Sequence, residues 1–158
     1  MVVYCSECWS ENQYGESKCR SCGTKLIPVP EKNFVDKLIT ALRHPEPTTP
    51  IRAAWILGQR KEKLAVQPLL DLVKTSTDPY ILSAVVNALG QIGDSSVIDT
   101  LEQLLDTTFL KVRLEIIKAL RNIGGPRAIE ILKRWLKSDN QKIKESAQEA
   151  LKQYIEKD

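Results

Sequence analysis

The chain has 158 residues, 42% hydrophobic and 27% charged, an ordinary globular composition and enough length for a very small module followed by a medium one. No run approaches the roughly 18 consecutive apolar residues of a membrane span, and the N-terminus reaches Cys5, Ser6 and Glu7 without the basic and apolar regions of a secretion signal, so a cytoplasmic protein without membrane attachment is expected. The net charge of +3 is uneven: residues 1–33 are neutral overall, residues 34–110 carry −2 and residues 111–158 carry +5, so the last third either attracts an acidic partner or forms a solvated helical surface.

All four cysteines precede residue 23, in two CxxC pairs: Cys5-Ser6-Glu7-Cys8 and Cys19-Arg20-Ser21-Cys22. Cysteines confined to one end cannot staple the rest of the chain, and without export signals a metal site fits better than disulfides. A CxxC turn aims two sulfurs at one point while backbone N–H groups donate to them, and two such turns supply the four soft thiolates of tetrahedral zinc. One structural zinc per chain on Cys5, Cys8, Cys19 and Cys22 is therefore expected. It would supply the folding energy that some 25 residues cannot draw from apolar burial, and four thiolates leave no open coordination position for catalysis. Gly15 permits the return of the chain between the pairs.

From Tyr4 to Leu26 the segment resembles the short zinc-ribbon family of bacteria and archaea, whose pattern is aromatic-Cys-x-x-Cys-Gly, a turn containing Glu-Asn, then Cys-x-x-Cys-Gly-Thr-Lys-Leu. The resemblance implies zinc and a recognition role. Trp9 stands where the family usually has glycine, so an indole on the ribbon surface is expected.

Ile27-Pro28-Val29-Pro30-Glu31-Lys32-Asn33 reads as an extended spacer, because its two prolines resist helix and central strand. The expected division is a zinc ribbon over 1–27, a proline-containing linker over 28–33 and helical repeats over 34–158, with two separate cores.

Beyond Phe34 the chain repeats. Leu57, Leu89, Leu120 and Leu151 recur at intervals of 31 or 32 residues inside Trp55-Ile56-Leu57-Gly58-Gln59, Asn87-Ala88-Leu89-Gly90-Gln91, Lys118-Ala119-Leu120-Arg121-Asn122 and Glu149-Ala150-Leu151-Lys152-Gln153. Ile81, Val112 and Ile143 precede the last three leucines at helical spacing. Each such helix follows another amphipathic run: Phe34 to Leu42, Leu64 to Val73, Val97 to Leu105 and Ala128 to Leu136. Thr77-Asp78-Pro79, Gly93-Asp94-Ser95-Ser96, Gly124-Gly125-Pro126 and Ser138-Asp139-Asn140 carry stop and cap signals between them. The segment Val112 to Gly124, Val-Arg-x-x-Ile-Ile-x-Ala-Leu-x-x-Ile-Gly, resembles the HEAT-like repeats named for phycobilisome lyases. The expected fold is all-α: a HEAT-like right-handed α-solenoid of four helical hairpins with a small N-terminal zinc ribbon. Pro50 takes the arginine position of the first repeat, so that helix is expected to start late. Stacking of hairpins buries what one hairpin cannot, and its curvature forms a concave surface.

His44, in a proline-rich connector, is the sole histidine. One histidine supplies neither a nucleophile-base-orienter set nor the His-Glu pairs of the iron-binding HEAT-repeat hydroxylases that this solenoid resembles, so no enzyme and no small-molecule substrate are expected. Binding is the expected role. In HEAT-type folds the second helix of each pair faces the concave side, where Trp55, Asn87, Lys118 and Glu149 form one row and the amides Gln59, Gln91, Asn122 and Gln153 another. Trp55 beside Arg52 has the composition of an interface anchor, or else closes the first repeat as core. The amides are either exposed or bridge helix ends. Trp55, Arg52, Asn87, Lys118 and Arg121 are the candidate partner-binding residues. A protein partner is expected first; nucleic acid, gripped by the ribbon and the basic last repeats, is the alternative. Low aromatic content without basic-aromatic interleaving argues against base stacking.

Overall fold

The computed structural model describes residues 2–5, 7–26, 31–105 and 109–155. Two short strands, β1 (Val2–Tyr4) and β2 (Glu11–Gln13), pair antiparallel with Val2 opposite Gln13 and Tyr4 opposite Glu11. Eight helices follow among the described residues: α1 (Glu31–Ala41), α2 (Thr48–Gln59), α3 (Val66–Thr75), α4 (Pro79–Ile92), α5 (Ile98–Leu105), α6 (Leu110–Ile123), α7 (Gly125–Trp135) and α8 (Gln141–Ile155). α1 opens inside the segment expected to be linker, because Glu31 and the residues after it carry no second proline restraint and continue directly into the apolar period of Val35 and Leu38. Residues 27–30, the remainder of that expected spacer, lie outside the described residues.

The helices form four antiparallel hairpins in two layers. α2, α4, α6 and α8 pack side by side, and α1, α3, α5 and α7 each back onto their hairpin partner. One continuous core runs between the layers through Leu38, Leu57, Leu69, Leu89, Leu101, Leu120 and Ile131, all essentially inaccessible. It is built from the repeating positions: Ala54 and Ile56, Val85 and Ala88, Ile116 and Ala119, and Ile143 and Ala150 are all buried.

Helix ends follow local chemistry. The Asp78 carboxylate accepts from the N–H groups of Tyr80 and Ile81, with Pro79 in the first turn, where its missing N–H has no helical partner. Gly93 ends α4 at φ 77°, and Asn140 caps α8 through Lys142 and Ile143. α2 starts at Thr48, one residue later than the repeat register would have it, and Pro50 lies in its first turn, where proline is tolerated.

The first two seams between second helices are close. A Cβ on Gly58 would lie 2.8 Å from the Ala88 Cα, and one on Gly90 would lie 2.7 Å from both the Cα and Cβ of Ala119. At the third seam Arg121 takes the equivalent position, and its carbonyl instead accepts from Gln153 Nε2 and the Tyr154 hydroxyl. On the outer layer, Arg127 of α7 bonds Asp99 and Glu102 of α5, and Arg134 also pairs with Glu102.

The ribbon does not stand apart. Tyr4 stacks on Phe34 of α1 at 5.8 Å between ring centroids, Arg60 lies 5.8 Å from the same ring, and Tyr4 and Trp9 pack against the solenoid's core. The two modules thus touch through partly buried rings, while the buried ribbon residues Cys5, Asn12 and Cys19 stay outside the solenoid's core. The expectation of a surface indole is corrected: Trp9 is half-buried, because its ring finds apolar area on the repeats that a ribbon of this size cannot offer.

Candidate functional site

The two CxxC turns are built alike. Trp9 N–H donates to Cys5 O at 2.9 Å and Gly23 N–H to Cys19 O at 2.9 Å, while Cys5 N–H reaches Ser10 O and Cys19 N–H reaches Thr24 O. Both residues after the second cysteine are left-handed, Trp9 at φ 59° and Gly23 at φ 75°. Glycine adopts this backbone without penalty; tryptophan does not.

These turns bring Cys5, Cys8, Cys19 and Cys22 together with all four Sγ atoms within 4.8 Å of one another, and no disulfide joins them. The Cys5 to Cys22 and Cys8 to Cys19 sulfurs are 3.5 and 3.6 Å apart. Four thiolates at about 2.3 Å from a tetrahedral zinc would be about 3.8 Å from each other, so the cluster has the size of such a site. Its surroundings fit as well: Glu7 N–H points at Cys5 Sγ and Ser21 N–H at Cys19 Sγ, each at 3.4 Å. The Ser10 hydroxyl, 3.0 Å from Cys19 Sγ, leads the hydrogen bonds that lower the pKa of that thiol to about 5, whereas burial pushes Cys5 up to about 11. Asn12, 3% exposed, ties the turns together: its amide donates to Ser10 O and approaches Cys19 Sγ, and its Oδ1 accepts from Arg20 N–H. Sequence reasoning passed over Asn12, and only its place within the Glu-Asn turn pointed to it.

Between the ribbon and the second helices lies an open cleft of about 560 Å³, lined by Tyr4, Glu11, Ile51, Arg52, Trp55, Ile56, Ser83, Ala84, Asn87 and Glu115. Three of the five candidate partner-binding residues, Arg52, Trp55 and Asn87, meet here, and Trp55 is 44% exposed rather than closing the core. Lys118 joins it only through Glu115, whose carboxylate it holds at 2.9 Å. Arg121 does not line the cleft; it belongs to the α6–α8 seam. Tyr4 and Glu11 had no signal in the sequence, since they arrive from another module. Ser83 had one: it occupies the repeat position held by apolar Ile51 and Leu114 in neighbouring repeats.

All four row amides, Gln59, Gln91, Asn122 and Gln153, line a second hollow of about 520 Å³. Gln153 bridges to the preceding repeat there, as one of the two expectations held.

The amino-acid sequence matches the family described as HEAT repeats over residues 35–111 and 105–152. The chain belongs to the HEAT-repeat family. These matches begin after the cysteine segment. Among solved structures this HEAT-repeat protein is similar to the complex of CpcE and CpcF of phycocyanin lyase from Nostoc sp. PCC7120, at 23% identity and a TM-score of 0.66 over 80% of this chain and 54% of that one. It thus spans about half the length of the lyase chain, and a likeness at this identity concerns the fold. Two engineered proteins are similar at 26% and 25% identity, with TM-scores of 0.53 and 0.51, each over 75% of this chain and over 61% and 36% of theirs. No curated protein sequence matches the chain. No described helix is long and apolar enough to cross a membrane.

Proposed function

We propose that this HEAT-repeat protein is a binding scaffold for another protein, with a structural zinc in its N-terminal ribbon and the face around Trp55 as the contact surface. In this reading residues 1–27 are the metal module, and the repeats are the platform. The single observation that carries it is Trp55, a large aromatic side chain 44% exposed in a cleft beside Arg52 and Asn87. Exposing an indole to water disfavours the free chain unless a partner covers it, and aromatic and arginine side chains dominate binding energy at interfaces. The complex of CpcE with CpcF supports the reading as a case of this fold in a protein assembly.

The basic surface of the last repeats gives less support to nucleic acid. Lys118 pairs with Glu115, Arg127 with three carboxylates, and Lys111 lies 4.1 Å from the Tyr80 ring, so part of the positive charge is already engaged.

The test is affinity capture with the whole protein and its Trp55→Ala variant at two salt concentrations, with bound proteins identified by mass. A specific partner lost from the variant, at a cost of about 2 kcal/mol or more and with little salt dependence, is expected. Retention of nucleic acid by both proteins, released by salt, would replace this reading. Elemental analysis of freshly purified, reduced protein should give one zinc per chain, and substantially less would remove the zinc assignment.

A further inference from the structure

The four sulfurs of the ribbon are not equivalent. Cys5 and Cys19 are buried and Cys8 is half-buried, whereas Cys22 is exposed. Their hydrogen-bond donors differ in the same sense. Glu7 N–H points at Cys5 Sγ, Ser21 N–H and the Ser10 hydroxyl at Cys19 Sγ, and the same hydroxyl lies 3.1 Å from Cys8 Sγ. Cys22 Sγ contacts the Thr24 hydroxyl at 3.4 Å, and among the described residues no backbone N–H is directed at it. A donor on a thiolate draws charge from the sulfur and weakens it as a nucleophile, while burial keeps reagents away, so both effects single out Cys22. Across from it, on the other turn, Cys5 Sγ is 3.5 Å away.

We infer that Cys22 is an oxidation site for a peroxide, that Cys5 resolves it to a disulfide between the two turns, and that this step undocks the ribbon from the repeats. It rests on the structural-zinc reading and adds a means of undoing that site. The Cys22 sulfur attacks one peroxide oxygen; the O–O bond breaks, the leaving hydroxide takes a proton to become water, and a sulfenic acid is left on Cys22. The Cys5 sulfur then attacks that sulfur, the S–O bond breaks, and the second hydroxide leaves as water with another proton. Two thiolates are oxidised to one disulfide, and the peroxide is reduced to two waters. Cys8 and Cys19 alone cannot complete a tetrahedral site, and the ribbon loses the metal binding that supplies its folding energy. Tyr4 precedes Cys5 and Trp9 follows Cys8, so the two rings that pack on the solenoid's core depend on the turns that these sulfurs close. Tyr4 and Glu11 also line the cleft around Trp55, so oxidation at Cys22 withdraws one of its walls.

The probe is hydrogen peroxide, added to the whole protein after elemental analysis has fixed its zinc content. Metal release is followed with a chromogenic chelator, and the disulfides present at half-release are mapped by mass after alkylation of the remaining thiols. The expected result is a Cys5–Cys22 disulfide formed in step with zinc release, and a melting temperature lowered by a few degrees that dithiothreitol and added zinc restore. Because Cys22→Ser should unfold the ribbon, the variants are Cys22→His and Cys8→His, each keeping a set of three sulfurs and one nitrogen. Cys22→His should slow release at least about tenfold, and Cys8→His should release at the parent's rate. If a variant does not hold zinc, the disulfide map of the parent decides. A first disulfide that leaves out Cys22, or equal protection by Cys8→His, overturns the oxidation site, and an unchanged melting curve after oxidation overturns the undocking. Protein that contains no zinc yet forms the Cys5–Cys22 disulfide first removes the zinc reading and leaves the oxidation site standing.

Discussion

Gly90 shows how one missing side chain sets the geometry of a seam. In an isolated helix, alanine is favoured over glycine by about 1 kcal/mol. Here an added Cβ would lie 2.7 Å from the Cα and Cβ of Ala119, and backbone cannot swing aside as a flexible side chain would. Forced overpacking typically costs about 1–3 kcal/mol, which outweighs the propensity gain. Gly90→Ala should therefore lower stability by about 1–2 kcal/mol in urea unfolding, and a rise in stability would show that α4 and α6 part easily. Trp9 presents the opposite choice. A left-handed backbone at φ 59° costs a non-glycine residue about 1–2 kcal/mol, and the indole's packing on the solenoid core offsets it.

At the scale of elements, each second helix starts on its own chemistry, and α2 has the most elaborate start. Glu46 accepts from the N–H groups of Thr48 and Thr49 and from both threonine hydroxyls, and these bonds, the Thr48 hydroxyl first, hold its carboxyl below the usual carboxylate range. Asp94, bonded by Ser96, is lowered in the same direction. A depressed folded pKa means that the unfolded chain binds protons more readily, so stability rises with pH through this range. The contribution is fully present above the ordinary carboxylate pKa of about 4.3 and is lost as pH falls through the lower folded value. Thermal unfolding between about pH 6 and pH 3 should thus show a shallower loss of stability in Glu46→Gln than in the parent. An identical pH slope would mean that the acid response lies elsewhere.

Across the whole molecule, the ribbon and the repeats are coupled through Tyr4, Trp9 and Phe34. Cys22→Ser removes one of the four clustered thiols and, on the proposed zinc reading, should unfold the ribbon, withdrawing two half-buried aromatic rings from the first hairpin. The helical far-ultraviolet signal should survive at room temperature, because the core from Leu38 to Leu151 is continuous without the ribbon. The melting temperature should nevertheless fall by a few degrees, corresponding to about 1–2 kcal/mol of lost apolar contact. An unchanged melting curve would mean that docking contributes nothing to the repeats. Zinc would then influence partner binding only if the cleft wall formed by Tyr4 and Glu11 matters.

Two things were legible in the amino-acid sequence because their determinants are local or periodic. The CxxC spacing alone brings sulfurs toward one point, and leucines recurring every 31 or 32 residues between Asp, Asn and Gly signals specify helix pairs that must stack to bury their faces. Trp55, Arg52 and Asn87 were legible as candidates for the same reason, being fixed positions on a repeating helix. Tertiary structure alone decided what lies across from them. No spacing rule relates Tyr4 to Phe34, or brings Glu11 to the cleft that holds Trp55, since this depends on how a small ribbon settles on a helical edge and not on any period. The sequence likewise placed Lys118 and Arg121 in one basic set, but packing separated them: Lys118 pairs with a carboxylate beside the cleft, whereas the Arg121 Nε is buried without a hydrogen-bond partner among the described residues. Charge can be counted along a chain, but which charges remain unpaired depends on the neighbours that folding brings within reach.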